Sequence, residues 1–452
     1  MISTRRSKAG MVTTQKSSAS KPVVWMAVLS AVSLLLSGCA GSFNPTAGPQ
    51  VITVTGLGGS SYGGRQPISG ANIYMYAASS SGYAGSATNV LTTPVTTTAA
   101  GTFYISSFTC TAGQQMYIVS MGGDPGAGAN ANAGIMGALG DCANLGQYSY
   151  IYINEITTVS AAFALAPFST GYATVGTSST NTAGLAQAFA SVNKLSNVAT
   201  GQPNGPALPA GATAPTAEIL ALANVLAACV NTTGGTTGDG SVCGKLFLYA
   251  TPSGGSAPTD TIGAAMQIAQ NPTLNVTNIF NLASIVPPYG GGLAVAPNDW
   301  TMSINYAPGG LSSPKSTTID ANGNVWIANS GNSTVTVLKQ TGAVMSGSPF
   351  SSNGLNSPAA VAIDASGNAW VANKGGASVS AFTSSGGVFS GSPFTGGGNL
   401  SAPSSLAFDA AGDLWVANSS GNSVTELSGA GGYLYQVTTG ITTPSAIVIN
   451  PK

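Results

Sequence analysis

Residues 314–329 read Pro314-Lys315-Ser316-Thr317-Thr318-Ile319-Asp320-Ala321-Asn322-Gly323-Asn324-Val325-Trp326-Ile327-Ala328-Asn329, and the same pattern recurs at 358–373 and 403–418. A fourth copy begins at Pro444, and the first prolines of successive copies are 44, 45 and 41 residues apart. A repeat of this length, with several short strands in each unit, is typical of β-propeller blades. We therefore predict about three blades over residues 312–452. A truncated chain, an open arc and a ring completed by another chain all remain open, and truncation is our first choice.

Each unit contains an Asp-x-x-Gly turn followed by a strand that carries tryptophan and ends in asparagine. Glycine supplies the positive φ that such a turn needs, and the aspartate can accept hydrogen bonds from the turn amides. A ring of metal-binding aspartates is an alternative, but repetition at one turn position favours a structural role. We predict buried tryptophans that serve packing, with no metal, cofactor or catalytic residue. The structural repeat positions are Asp320, Trp326, Asn329, Asp364, Trp370, Asn373, Asp409, Trp415 and Asn418.

These repeats resemble NHL-repeat and virginiamycin-B-lyase-like propellers. The lyase resemblance would imply an enzyme, but that chemistry draws on histidine and a metal ion, and this sequence contains no histidine. No Gly-x-Ser-x-Gly motif is accompanied by a histidine base, and a phosphate-binding Gly-Lys-Ser/Thr motif is absent from the sequence. The lyase activity therefore cannot be carried over to this sequence, which leaves enzymatic activity uncertain and favours a protein that is not an enzyme.

Residues 51–167 alternate with period two, in short β-branched and aromatic runs separated by Gly, Ser, Asn and Pro. This pattern predicts an antiparallel β-sandwich. Residues 67–74 (Pro-Ile-Ser-Gly-Ala-Asn-Ile-Tyr), with Gly101-Thr102-Phe103 further on, resemble the transthyretin-like or carboxypeptidase-regulatory-like sandwich. Ten of the 15 tyrosines lie between Tyr62 and Tyr172. They could form a sugar-stacking platform, although packing within the sheet is the favoured interpretation.

Residues 168–286 change to a helical period, for example Leu185, Phe189 and Val192, and predict a small α-helical layer. Its helical pattern already starts near Thr157, inside the segment assigned to the sandwich. Residues 287–311, which open with Pro-Pro-Tyr-Gly-Gly-Gly, are predicted to be a linker. Glu155, at the change of period, is expected to be a helix cap or a hydrogen-bond acceptor in the core. The mature chain is thus mainly β and multidomain.

Four cysteines beyond residue 39 are expected to form disulfides. Pairing of nearest neighbours gives Cys110–Cys142 and Cys229–Cys243, one pair in each proposed domain. Zinc binding is the alternative, but it would require Cys-x-x-Cys spacing or histidines, and the sequence has neither.

The first 39 residues are a basic stretch followed by an apolar run and Leu36-Ser37-Gly38-Cys39. This arrangement describes a secretory signal and resembles a bacterial lipobox, whose cysteine is lipidated and becomes the mature N-terminus. An ordinary signal peptide with a chance cysteine is the alternative. We predict lipid attachment at Cys39, a tether over residues 40–50, and a cell-envelope location facing the periplasm or the exterior. Ala40, after the cysteine, suggests the outer membrane in a didermal organism.

Charge excludes one class of partner. Five of the 12 Lys/Arg residues precede Cys39, which leaves 7 against 12 Asp/Glu and a net charge of −5. Nucleic-acid binding is therefore not expected, because it depends on basic patches. The favoured hypothesis is a surface-anchored, non-catalytic binding or scaffold module for a polysaccharide or protein partner. The alternative is an extracytoplasmic propeller lyase or hydrolase that uses aspartate and a metal ion.

Overall fold

The computed structural model describes residues 50–450. The predicted signal peptide, Cys39 and nearly all of the predicted tether lie outside these residues. Among residues 50–450 no helix combines the length and the hydropathy needed to cross a membrane. This part of the chain is mainly β, with several small sheets and no closed barrel.

The first nine strands and the six α-helices lie within residues 51–280. The strands are β1 Val51–Gly63, β2 Gln66–Pro67, β3 Asn72–Ala77, β4 Thr88–Asn89, β5 Val95–Thr96, β6 Thr102–Thr111, β7 Gln115–Met121, β8 Gly134–Asp141 and β9 Tyr150–Ile153. The helices are α1 Glu155–Leu165, α2 Thr182–Leu195, α3 Thr216–Val230, α4 Val242–Ala250, α5 Thr261–Gln270 and α6 Val276–Phe280.

Two sheets face each other across one apolar core. Sheet A has the order β2–β1–β6, with β9 beside β1, and sheet B has the order β4–β3–β7–β8, with β5 beside β3. Strand alternation turns Leu57 and Phe103 of sheet A toward Met75 and Ile118 of sheet B. The β1–β9 pair is parallel, whereas the other pairs of both sheets are antiparallel, so sheet A is mixed rather than purely antiparallel.

The helices pack on the other face of sheet B. Strand β7 is buried on both faces because it lies between two layers: Met116 and Ile118 point toward sheet A, and Tyr117 and Val119 point toward the helices. Helix α1 begins at Glu155, where Asn154 caps it and accepts a hydrogen bond from the Thr157 amide. The helical layer and sheet B therefore share one core.

Four further strands of two residues each lie between α2 and the repeats. These strands are β10 Ser196–Asn197, β11 Gln202–Pro203, β12 Ala212–Thr213 and β13 Asn305–Tyr306. Strand β13 lies within residues 287–311 and pairs with β12, and Trp300 in the same segment is fully buried in the helical core. The segment predicted to be a linker is thus packed against the helical layer.

Each repeat unit forms its own small antiparallel sheet. Unit 1 comprises β14 Pro314–Ile319, β15 Val325–Asn329 and β16 Thr334–Leu338, unit 2 comprises β17 Pro358–Ile363, β18 Ala369–Asn373 and β19 Ser378–Phe382, and unit 3 comprises β20 Pro403–Phe408, β21 Leu414–Asn418, β22 Ser423–Leu427 and β23 Tyr433–Val437. Successive units pack face to face. Trp326 and Val337 of unit 1 contact Val361 and Phe382 of unit 2 through one apolar cluster.

Both predicted cysteine pairs are disulfide-bonded. Cys110–Cys142 ties the end of β6 in sheet A to the turn after β8 in sheet B, and Cys229–Cys243 ties α3 to α4.

Removal of either disulfide should destabilise the fold by about 2–4 kcal/mol, because each bond limits the freedom of the unfolded chain. Urea denaturation of the double variants Cys110→Ala/Cys142→Ala and Cys229→Ala/Cys243→Ala measures this loss. Peptide mapping under non-reducing conditions provides the control, and free thiols or a pair between the two sets would contradict the assignment.

Candidate functional site

The carboxylates of the repeated aspartates accept hydrogen bonds from residues of their own units. In unit 1, Asp320 Oδ1 accepts the amides of Asn322 and Asn324 at 2.9 Å, and Oδ2 accepts Trp326 Nε1–H at 3.0 Å. Asp364 and Asp409 accept the indole N–H of Trp370 and Trp415 in the same way, at 3.0 and 2.9 Å. These hydrogen bonds fix the turn and orient the tryptophan, so the three aspartates do not form a common site.

The repeated asparagines are equally engaged. Asn329, Asn373 and Asn418 are fully buried, and each Nδ2 donates to two Ser/Thr hydroxyls of the next strand. Each side-chain oxygen accepts the amide of a residue that precedes its unit, at 3.1–3.4 Å. They tie the second and third strands to the loop before the first.

The repeated tryptophans are not equally buried. Trp326 and Trp370 are 0% exposed, whereas Trp415 is partly exposed. The face of unit 3 that carries Trp415 has no complete repeat unit packed on it within residues 50–450. Sequence equivalence predicts the position of a side chain in its sheet but not the neighbour that covers it.

Unit 3 carries one cluster of carboxylates. Oxygens of Asp409, Asp413 and Glu426 lie within 4.8 Å of one another, and all three side chains are partly exposed. The equivalents of Asp413 are Asn324 and Asn368, whose amides donate to the repeat aspartate. Hydrogen bonds, first among them the one from the Trp415 indole, lower the pKa of Asp409. These three residues are the ones in the described part that could bind a metal ion as a group.

Four tyrosines lie on the face of sheet A that points away from the core. We call this set, Tyr62, Tyr104, Tyr150 and Tyr152, the tyrosine face. Strand alternation places them there, since their neighbours Phe103, Ile151 and Ile153 belong to the core. The rings of Tyr62 and Tyr152 stack with their centroids 5.0 Å apart.

A glycine separates the two exposed rings of the tyrosine face. Gly58 on β1 pairs with Tyr104 of β6 on one side and with Tyr150 of β9 on the other. Tyr104 is 65% exposed and Tyr150 is 41% exposed. Their strands lie two strand spacings apart, about 9–10 Å. The row Tyr104–Gly58–Tyr150 therefore offers two accessible aromatic rings, and the Tyr150 ring lies against Gly58, where a Cβ would be 3.7 Å from its Cδ2.

Glu155 is the centre of a buried polar junction. Gly64 N–H, in the β1–β2 turn, lies 3.0 and 2.9 Å from the two carboxylate oxygens, and Tyr289 Oη–H donates to Oε2 at 2.6 Å. Tyr289 also exchanges two hydrogen bonds of 2.9 Å with the Asn224 side chain of α3. Burial raises the pKa of Glu155 to about 7, against the opposing effect of these hydrogen bonds. The junction joins sheet A, two helices and the segment after α6.

The sequence comparisons return no match, since neither a family model nor a curated protein matches this chain. Solved structures of virginiamycin B lyase-like propeller proteins match about 30% of it. Virginiamycin B lyase from Staphylococcus aureus is 18% identical, with 29% of this chain and 44% of that chain covered and a TM-score of 0.27. Hydrazine synthase from Kuenenia stuttgartiensis is 19% identical, with 31% and 40% covered and a TM-score of 0.27. A functionally unknown protein from Desulfotomaculum acetoxidans is 19% identical, with 33% and 49% covered and a TM-score of 0.28.

This chain thus spans less than half the length of each of these structures. Likenesses of this extent and identity give no information about activity or ligands.

Proposed function

We propose that the protein is a lipid-anchored envelope protein that binds a neutral polysaccharide on its tyrosine face without catalysing a reaction. In this proposal a transthyretin-like sandwich carries the binding face, and the NHL-like propeller repeats act as a scaffold. The observation that carries the proposal is the row Tyr104–Gly58–Tyr150, with two exposed rings on the outer face of sheet A.

The chemistry of the tyrosine face favours a neutral sugar polymer. The apolar face of a sugar ring can stack on an aromatic ring, and the tyrosine hydroxyls can hydrogen-bond to sugar hydroxyls. None of the residues of β1, β6 and β9 is charged. A charged polymer would therefore find no ion-pairing partner on these strands.

Loss of the two exposed rings should weaken polysaccharide binding roughly fivefold or more, since each stacked ring contributes about 0.5–1.5 kcal/mol. Affinity electrophoresis of the Tyr104→Ala/Tyr150→Ala variant, in gels that contain hydroxyethyl cellulose, soluble starch or galactomannan, measures the change. Tyr83→Ala is the matched control, because Tyr83 is 62% exposed but lies outside the face. Equal retardation of the double variant and the wild type would refute the proposed site.

The anchor requires lipidation at Cys39. Radiolabelled palmitate should be incorporated into the wild-type protein in its bacterial host and not into Cys39→Ala, because the thiol is the acceptor. A Cys229→Ser/Cys243→Ser variant, which keeps Cys39, is the control and should remain labelled. A Cys39→Ala protein that still carries label would rule out this anchor.

A second candidate function is an extracytoplasmic lyase or hydrolase that uses aspartate and a metal ion. The Asp409, Asp413 and Glu426 cluster favours it, because carboxylate oxygens are the ligands that hard divalent cations prefer. Metal analysis of the purified protein tests it. One equivalent of a divalent ion that disappears in Asp413→Asn/Glu426→Gln would support the enzyme, and metal-free protein would exclude it.

A further inference from the structure

A groove of about 490 Å³ lies between the β1–β2 turn, helix α3 and the segment after α6. Just over half of its lining residues are apolar, namely Ala227, Ala228, Val242, Leu282, Val286, Pro287 and Pro288. Polar groups are contributed by Arg65, Gln66, Asn231 and Ser284. This volume suits a peptide of a few residues or another ligand of similar size.

Arg65 gives the groove its charge. It is the only arginine in residues 50–450, where acidic residues outnumber basic ones, and no Asp or Glu lines the groove. Its one hydrogen bond within the described residues runs from Nε to the Pro288 carbonyl oxygen, at 3.1 Å. The two terminal nitrogens therefore have no partner there, although a guanidinium has five N–H donors arranged to match a carboxylate.

The position of Arg65 is fixed by its neighbour. The amide of Gly64 is bonded to the buried Glu155 carboxylate, and the Gly64 carbonyl lies 3.4 Å from the Tyr289 hydroxyl. The β1–β2 turn is thus anchored in the core on one side of Arg65 and by the Pro288 carbonyl on the other. The Arg65 side chain itself is exposed, so its Nε–H bond to the Pro288 carbonyl is what limits its freedom before an anion binds.

We propose that this groove binds the C-terminus of a peptide whose last residue is aliphatic, with its carboxylate on Arg65. The unpartnered guanidinium selects the carboxylate, and the Ala, Val, Leu and Pro walls select the aliphatic side chain. The amide of Gln66 and the Ser284 hydroxyl, which both line the groove, match the N–H and C=O groups of a peptide backbone. This site is independent of the polysaccharide face.

Calorimetric titration of the full-length protein with acetyl-Ala-Ala-Leu tests the proposal against two other probes, the same peptide with a C-terminal amide and octanoate. We expect the free acid to bind at least about tenfold more tightly than the amide, since only the acid carries the charge that Arg65 can pair with. We also expect it to bind more tightly than octanoate, which leaves the polar groups of the groove unpaired.

The variants separate the role of Arg65 from a general effect of charge. Arg65→Gln should abolish the preference for the acid over the amide, and Arg65→Lys should retain part of it. Lys245→Gln, which removes an exposed positive charge from α4 outside the groove lining, should bind like the wild type. Equal affinity for acid and amide, an unchanged preference in Arg65→Gln, tighter binding of octanoate or no binding of the acid would each overturn the proposal. Circular dichroism melting verifies that each variant is folded.

Discussion

Trp370→Ala should destabilise the protein by about 3–5 kcal/mol, as expected for truncation of a large buried aromatic residue. Trp370 is fully buried between units 2 and 3. Its ring stacks on the ring of Phe394, with a centroid distance of 5.2 Å. The ring centroids of Phe389 and Phe408 lie 5.5 and 5.9 Å away. The variant would leave a cavity and would also remove the hydrogen-bond donor to Asp364.

Trp415→Ala is the matched control for this prediction. Trp415 has the same place in its repeat and the same bond to an aspartate, but its ring is partly exposed. Its loss should therefore cost clearly less than the loss of Trp370. Urea denaturation of both variants measures the difference. Equal losses, or an unchanged midpoint for Trp370→Ala, would contradict the packing that we describe between units.

The stability of the protein should fall as the pH rises from about 4.5 to about 7, because of Glu155. Burial raises the pKa of this carboxyl from 4.5 to about 7 in the folded state, so between these values the folded protein holds a proton that the unfolded chain has lost. The stabilisation that results from protonation of Glu155 is fully present below pH 4.5 and is lost as the pH rises through about 7. The difference between the two pKa values corresponds to about 3 kcal/mol.

Glu155→Gln isolates this contribution. Glutamine keeps the shape of the side chain and an acceptor for Gly64 N–H and Tyr289 Oη–H but does not ionise. The stability difference between wild type and variant, measured by urea denaturation from pH 4 to pH 8, should therefore shift with pH in favour of the variant. Glu218→Gln, at a partly exposed position in the first turn of α3, should keep the pH dependence of the wild type. The same pH dependence in wild type and Glu155→Gln would refute the prediction.

Local patterns in the sequence predict the repeat units and the helices because their determinants lie close together in the chain. Asp320 and Trp326, for example, are six residues apart, and their hydrogen bond recurs in every unit. The stripe of Leu185, Phe189 and Val192 on α2 faces the core, as its spacing predicts.

Contacts between distant segments could not be predicted in this way. Glu155 meets Gly64 and Tyr289 across 91 and 134 residues, and no local pattern links them. The tyrosine face depends on β9 lying parallel to β1, which brings Tyr150 opposite Gly58. Strand alternation predicts on which face of its own strand each tyrosine lies. It does not predict which residues of other strands lie beside that tyrosine.

The most direct test of a non-catalytic binding module measures binding and polymer size in the same sample. The full-length protein is incubated with the polysaccharide that retards it in the gel, and cosedimentation in the ultracentrifuge measures the bound protein. Size-exclusion chromatography with light scattering then gives the chain-length distribution of the polymer. We predict that the wild type binds the polymer and leaves its length unchanged. The variant Tyr104→Ala/Tyr150→Ala should neither bind the polymer nor shorten it. Shortened chains in the wild-type sample, or the absence of any bound protein, would contradict the proposed function.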